Sequence, residues 1–329
     1  MKKVLIAVGS VVAIAVLLFA YNLTQKKGSG ETDFPKAPIS IYLPSSPGGT
    51  SDALCRMFEK LAPKYINQPI VVVNKAGAGG VIATTEFQTV KPDGYTVLLG
   101  LSGVFTTVPH MRKVDYDINN FKHVIGLTYE PNFLVVKADS PYKTFADLAT
   151  AYRNGKTLIY GHNGNGSLLH LDQAIIFEQA GIKAKGVPYG GTNESLSALL
   201  GGHVQAIAMG PGEFKPHLEE GTLRALCIFG EKRDTREAFK DIPSSTELGY
   251  NANFAVWKFF SVPKDTPDEI GKKLHDLFAK MLKDQEFVRY AENNALIVSP
   301  DTGEEIAAKI ARENKFGEEF IQSLGIAEK

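Results

Sequence analysis

The sequence predicts an α/β protein built as two lobes around a ligand cleft. Three observations carry this. Short apolar, β-branched runs alternate with helical periods from residue 39 to about residue 229, the pattern of strands joined through crossover helices. Residues 267–329 read as nearly all helix, with no sheet of their own to pack on. At 329 residues the chain has the length of two domains of about 150 residues each.

Taken in order, ISIYL (39–43) reads as the first strand and TSDALCRMFEKLAPKY as its helix. PIVVVN (69–74) and GVIATTEFQTV form the next pair, and YTVLLG (95–100) is a third strand. The middle of the chain repeats the alternation: NFLVVKA, TFADLATAYRNG, TLIYG, GSLLHLDQAIIFEQAG, KGVPY, NESLSALLGG, VQAIAMG, GEFKPHLEEG and TLRALCIFG. Parallel sheets with helices on both faces are the expectation. TPDEIGKKLHDLFAKMLKDQEFVRYAENN and TGEEIAAKIARENKFGEEFIQSLG then read as helices, with Thr266 and Thr302 as N-caps.

These last helices have to cover a sheet made earlier, most simply the N-terminal one. Lobe 1 is therefore expected to be discontinuous, residues 36–127 with 256–329, enclosing lobe 2 at 128–255. Crossing strands are sought in HVIGLTYEPNF (123–133) and NFAVWKFFSVP (253–263). Because ligands in open α/β sheets bind outside the carboxyl ends of strands, both lobes should turn those ends to the cleft.

Composition narrows the function classes. Apolar content of 44% suits globular cores, and 36 basic residues balance 36 acidic ones, so no basic surplus points to nucleic acid. Cys55 and Cys227 lie far apart without metal-ligand spacing. They read as two isolated thiols, with a disulfide as the lesser alternative. Lys2 and Lys3 precede an apolar run from Val4 to Ala20 and a polar stretch, so residues 1–30 read as an export signal or an uncleaved N-terminal anchor. Either way the remainder is extracytoplasmic. Removing Lys2, Lys3, Lys26 and Lys27 from 36 leaves 32 basic against 36 acidic residues, so an anion site here must work by local geometry.

Five strand-to-helix joints are rich in small residues. SSPGGTSD offers Ser45, Ser46, Gly48, Gly49, Thr50 and Asp52; NKAGAGGV offers Gly77, Ala78, Gly79 and Gly80; LSGVF offers Ser102 and Gly103. In the second lobe, GHNGNGSL offers Asn163, Gly164, Asn165, Gly166 and Ser167, and YGGTNESL offers Tyr189, Gly191 and Asn193. Each joint presents backbone N–H groups at a helix N-terminus, where the dipole favours an anion. Glycine permits close backbone approach, and hydroxyls add donors. Any α/β protein needs tight turns, and Asp52, Asn165 and Asn193 read equally well as helix caps. Basic residues are absent from the joints apart from Lys75. An anion would then be held by dipoles, hydroxyls and water, which favours a small releasable carboxylate over a phosphate.

Other chemistries fare worse. GAGGVI is not G-x-G-x-x-G, because Ile82 takes the third glycine's place, and GHNGNGS lacks the P-loop lysine. There is no G-x-S-x-G elbow and no H-E-x-x-H. His162 and His170 do not read as a metal pair, and no nucleophile–base constellation is found, so neither cofactor nor catalysis is expected.

The motifs PGGTSDALCR (47–56), QPIVVVNKAGAGG (68–80) and KPDGYTVLLG (91–100) give the chain a resemblance to the substrate-binding receptors of tripartite tricarboxylate transporters, the TctC or Bug family. Weaker matches are NGNGSLLHL (163–171), VPYGGTNESLSALLGG (187–202), KPHLEEGTLRAL (215–226) and the Trp257 segment before VPKDTPDEI. The resemblance implies a type II periplasmic-binding-protein fold, two α/β lobes with hinge strands. It implies a monomeric periplasmic receptor that clasps a small organic carboxylate and passes it to a large and a small transmembrane subunit. It maps ligand contacts, partly through water, to Ser46–Thr50 and Gly77–Gly80 in lobe 1 and to Asn163–Ser167, Tyr189, Gly191 and Asn193 in lobe 2.

The chain departs from the family pattern in two places. Ser45 stands where an aromatic residue is frequent. AMGPGE (208–213) stands where many members read F-D-N-L-P-S, so that Met209 replaces an acid and Glu213 a small residue. A glutamate there would repel a carboxylate or receive an ammonium or hydroxyl group. Two other readings stay open from sequence: a receptor serving a membrane signalling sensor, and an enzyme on the same fold.

Overall fold

The computed structural model describes residues 34–324. The export segment and any anchor lie outside the described residues, among which no helix is long and apolar enough to cross a membrane.

Two mixed sheets organise residues 39–298. The strands are β1 (Ile39–Leu43), β2 (Ile70–Asn74), β3 (Thr96–Leu101), β4 (Phe121–Pro131), β5 (Phe133–Lys137), β6 (Leu158–His162), β7 (Ala184–Pro188), β8 (Ala206–Met209), β9 (Leu223–Ile228), β10 (Ala255–Pro263) and β11 (Ile297–Val298). The first sheet runs β11-β4-β10-β3-β1-β2 and the second β7-β6-β8-β5-β9. This is the two-lobe periplasmic-binding architecture that the sequence predicts.

The expectation of parallel sheets holds only for the crossover units. β1 is parallel to β2 and β3, and β6 to β7 and β8. β10 is antiparallel to both β3 and β4, and β5 to both β8 and β9. The reason is the traffic between lobes: a strand that enters or leaves a sheet without a crossover helix inserts against its neighbours' direction. The chain passes from the first sheet to the second at Asn132, between β4 and β5, and returns just before β10.

The helices are α1 (Thr50–Leu61), α2 (Val81–Phe87), α3 (Ser102–Thr106), α4 (Val108–Met111), α5 (Phe145–Arg153), α6 (Leu168–Gln179), α7 (Thr192–Leu200), α8 (Pro211–Glu219), α9 (Asp268–Leu282), α10 (Gln285–Asn293) and α11 (Gly303–Leu324). In α1, Leu54, Cys55, Phe58 and Leu61 are buried, an apolar stripe at helical spacing. Phe58 meets Phe260 of β10 and Phe278 of α9 edge-on at 5.2 and 5.5 Å. So α9 covers the first sheet, as expected of the C-terminal helices.

α11 does more than that. Ile306 and Ile310 pack into the first sheet's core with Phe105, Trp257 and Phe259. Further along, Ile321 joins the second sheet's core, and Phe316 lies 5.1 Å from Phe254. A helix of this length reaches about 30 Å, enough to touch both lobes. Thr302 caps α11, its hydroxyl accepting the Glu305 N–H at 3.3 Å while Glu305 Oε2 accepts the Thr302 N–H at 2.8 Å. Thr266 does not cap α9: the N-cap is Pro267, and the Thr266 hydroxyl is buried without a partner. Cys55 and Cys227 are both free and buried, so the disulfide alternative is discarded.

Candidate functional site

The loops after β1, β2 and β3 meet those after β6 and β8 around a cavity of about 760 Å³, within the range of small-molecule sites. Of the residues singled out from sequence, Gly48, Gly49, Thr50, Gly79, Ser102, Gly103, Asn163, Asn165, Gly166 and Ser167 line it. The lobes touch across it. A Cβ on Gly103 would lie 3.4 Å from Leu168, and one on Gly166 would overlap Met111.

The first loop shows how the sequence shapes the wall. Gly48 adopts φ +86°, a left-handed conformation that side chains disfavour. Its N–H donates to Asp52 Oδ2 at 3.0 Å, while Asn74 Nδ2 donates to Asp52 Oδ1 at 2.9 Å and to the Ser45 carbonyl at 3.2 Å. The Gly48 N–H, then Asn74, hold the Asp52 carboxyl below its ordinary range. Asp52 is thus a brace behind the loop, and the N-cap of α1 is Gly49. The hydroxyl of Ser45 is buried without a partner, and Ser46 is exposed outside the cavity.

The second loop turns through Gly77, Ala78, Gly79 and Gly80, all at positive φ. Of these only Gly79 lines the cavity. A Cβ on Gly80 would meet Val104 at 2.9 Å, so that glycine serves packing. Lys75, the cation nearest this joint in sequence, pairs with Glu86 at 2.5 Å, lies over the Tyr42 ring and stays out of the cavity wall. After β3, the Ser102 hydroxyl donates to the Ala255 carbonyl and accepts the Trp257 N–H, each at 3.2 Å, fastening the returning strand.

In the second lobe a histidine pair holds the loop. His162 and His170 stack at 4.1 Å. His162 Nδ1 donates to the Gly164 carbonyl at 2.9 Å, and His170 Nδ1 accepts the Gly166 N–H at 3.0 Å. Burial lowers the pKa of both, and pushes His170, with His162 beside it, down to about 4. The N-cap of α6 is Ser167, not Asn165, and that of α7 is Gly191, not Asn193. Gly164, Tyr189, Gly191 and Asn193 stand behind the wall: the Tyr189 N–H donates to the His162 carbonyl at 2.8 Å, and the Asn193 carbonyl accepts the Ser197 hydroxyl at 2.9 Å. Met209 is fully buried in the second lobe's core and contributes no cavity surface.

Sequence reasoning missed the charged groups. Arg112, Glu130 and Lys258 line the cavity together with Glu213. Arg112 follows α4 and donates to the Ala78 carbonyl at 2.9 Å beside Gly79. Among the described residues no carboxylate pairs with it. Lys258 is almost wholly buried and pairs with Glu130, which also accepts the Thr128 hydroxyl at 2.8 Å. These two residues lie on β10 and β4, the strands that cross between lobes, so their place in the cleft depends on tertiary pairing. The expectation that the cleft lacks formal cations therefore does not hold. Glu213 is exposed to the cavity at the start of α8, and its Oε2 accepts the Gly210 N–H at 3.3 Å. Desolvation within the cleft raises its pKa against that bond; Glu130 raises it further, and Lys258 lowers it. Among the described residues no group of three or more His, Cys, Asp or Glu side chains could hold a metal ion.

Known proteins share this fold. Residues 54–326 match the family model described as tripartite tricarboxylate transporter family receptor. A UPF0065 protein in the gbd 5' region of Cupriavidus necator is 36% identical over 272 residues, 82% of each chain. The structure of a TctC solute binding protein from Polaromonas is 30% identical, with a TM-score of 0.77 over 88% of this chain and 99% of that one. R. palustris Rpa4515 with adipate is 27% identical, with a TM-score of 0.77 over 90% of this chain and 99% of that one.

Proposed function

Because the chain belongs to the tripartite tricarboxylate transporter receptor family, whose members are periplasmic solute-binding receptors, we propose that it captures a small organic carboxylate between its lobes and delivers it to the large and small membrane subunits of a transporter of that type. In this reading it works as a monomer, without cofactor and without catalysis. The observation that carries the proposal is Arg112: a guanidinium on the cavity wall with no carboxylate partner among the described residues, beside Gly79 and in the same cavity lining as Gly49 and Thr50 at the start of α1. An arginine fork beside backbone donors suits a carboxylate.

Closure would pivot where the chain changes sheets. Asp172 of α6 joins both crossings: Oδ1 accepts the Phe254 N–H at 2.9 Å, and Oδ2 accepts Asn132 Nδ2 at 3.4 Å. The same helix begins at the cavity loop Asn163–Ser167. Ligand on that loop would thus bias the hinge, shifting the population of closed receptor. We place lobe 1 at 36–131 with 255–329 and lobe 2 at 132–254, a few residues from the bounds read in the sequence because β4 and β10 belong to the first sheet, with Asn132 as the first pivot.

Native mass spectrometry of the exported protein, then a thermal-shift panel of mono-, di- and tricarboxylates, tests the reading. A carboxylate at 100 times its dissociation constant should add about 2.7 kcal/mol of stability. Stabilisation by sugars or cations and by no organic acid would overturn it. Co-purification with the two membrane subunits tests delivery.

A further inference from the structure

We propose that the cargo is two-ended: a carboxylate toward Arg112, and a hydrogen-bond donor, ammonium or hydroxyl, received by Glu213. This rests on the carboxylate-receptor reading and narrows its substrate class to amino- and hydroxy-acids, with dicarboxylates disfavoured.

Strand order separates the two ends. Arg112 follows α4 and sits against the loop after β2, at one edge of the first sheet. Glu130, on β4, and Lys258, on β10, lie toward the other edge. The second sheet delivers the start of α8 to that far side: a Cβ on Gly212 would lie 2.8 Å from the Asn294 carbonyl, and Arg236 donates to the Ala295 carbonyl. Glu213 therefore enters the cavity away from Arg112.

The charges at the two ends differ in kind. Lys258 and Glu130 satisfy each other as a pair. Glu213 makes no direct ion pair among the described residues, although Lys258 lies near enough to favour its charge; the Gly210 N–H and the Thr192 hydroxyl are its local donors. A carboxylate offers about four acceptor sites, so Glu213 retains capacity for a ligand donor. A ligand carboxylate placed there would add a negative group beside Glu213 and Glu130, and like charges in a partly desolvated site are disfavoured. The raised pKa of Glu213, due first to desolvation and only partly offset by its donors and by Lys258, agrees with a carboxyl that gains from a further donor.

Calorimetric titration with chain-matched sets, each an ω-amino acid, an ω-hydroxy acid and the dicarboxylate of equal carbon count, tests the inference over a series of lengths. Adipate is included among the dicarboxylates. Donor-terminated acids should bind at least about tenfold more tightly than the matched dicarboxylate, the scale of a hydrogen bond to a charged group. Glu213→Gln keeps an acceptor for the Gly210 N–H and should fold; it should shrink that preference to within about threefold. Glu213→Lys should reverse it. Dicarboxylates binding as well as or better than their partners in the wild-type protein would overturn the inference and leave the carboxylate reading standing. So would a preference unmoved in both variants. Binding of no acid in any set, with sugars or cations bound instead, would remove both.

Discussion

Asp52 and Glu213 hold the same position in two helices, the third residue of α1 and of α8, and each accepts an N–H from the glycine loop before its helix. Their electrostatics are opposite. Asp52 is held below its ordinary pKa by the Gly48 N–H and Asn74, while Glu213 is pushed up by burial. The difference extends along each rim. The lobe 1 rim is braced by groups that are charged and partnered from behind. The lobe 2 rim is braced by neutral histidines, and its carboxylate faces the cavity. One local device, a carboxylate closing a glycine turn, thus becomes scaffold when it is braced from behind the loop and recognition surface when it faces the cavity. pH should accordingly act on the lobe 2 rim and leave the lobe 1 rim alone.

The comparison breaks most visibly if the lobe 1 rim proves dispensable. Gly49 has ordinary φ, and a Cβ there meets nothing within 4 Å, so Gly49→Leu places bulk in the cavity without backbone strain. Affinity should fall at least about a hundredfold, cutting the ligand-induced stabilisation at wild-type saturation from about 2.7 to about 0.4 kcal/mol. The apo melting temperature should barely move. Gly79→Leu should also block binding, but Gly79 has φ +63°, so it should carry an added folding cost of about 1 kcal/mol. Full affinity in Gly49→Leu would show that the loop does not face cargo.

Arg112→Gln should weaken a carboxylate ligand by about ten- to a hundredfold, the worth of a charge-assisted hydrogen bond. Arg112→Lys should recover part of this, since charge survives and the planar fork does not. An unchanged Kd in Arg112→Gln would return the site to a cage of dipoles and water alone.

That arginine also marks where the sequence stopped being legible. The glycine joints could be read because conformation is local: strand, turn and helix start follow one another within a dozen residues, and Gly48, Gly79 and Gly166 do reach the cavity. Arg112 could not, because it stands beyond two short helices and reaches Gly79 only after the chain folds back. Lys258 and Glu130 were hidden for a related reason. Each sits within an apolar strand, and only the β4–β10 pairing brings them together. The same limit explains the sheets: alternation announces crossover units, but it does not say which strands will carry the chain between lobes.

Asp172 tests whether the lobe 2 rim is coupled to the hinge. It is fully buried, and burial raises its pKa well above the ordinary carboxyl range. Asp172→Asn keeps an acceptor for the Phe254 N–H and should cost less than about 1 kcal/mol in denaturant unfolding. Asp172→Ala strands the buried N–H and should cost about 1–3 kcal/mol. Equal losses in the two variants would point to a charge-dependent role and not to hydrogen bonding.

The next effect is one of pH. Burial lowers His170 from 6.5 to about 4. Between those values the unfolded chain takes a proton that the folded protein refuses, so stability should fall as pH drops from about 6.5 to about 4 and level off below. His123 in lobe 1 is lowered to about 4 by burial as well, so replacing either histidine removes only part of the slope. His170→Gln should move the acid midpoint by about half a pH unit. Ligand affinity should follow the same titration only if the Gly166 turn moves with it. A binding curve flat down to pH 4 would make the histidine pair a fold element with no bearing on the rim.

The smallest effect is spectroscopic. Trp257, the chain's single tryptophan, donates from Nε1 to both carboxylate oxygens of Glu313 at 3.0 Å. Burial pushes Glu313 up to about 7. Here the sign is reversed from that of His170: between 4.5 and about 7 the folded state keeps a proton that the unfolded chain has released, so this group's contribution falls as pH rises through that window. Tryptophan emission should titrate near neutrality, and Glu313→Gln should abolish the transition. Trp257 lies between Val256 and Lys258, both in the cavity wall, so the same signal reads the hinge strand. If saturating ligand shifts the midpoint, the shift measures coupling between cavity and hinge, and by reciprocity pH must alter affinity by the same factor. A midpoint that ligand leaves unmoved would confine the Glu313 titration to the back of the sheet, and the contrast between a settled rim and a titrating one would stand sharpened.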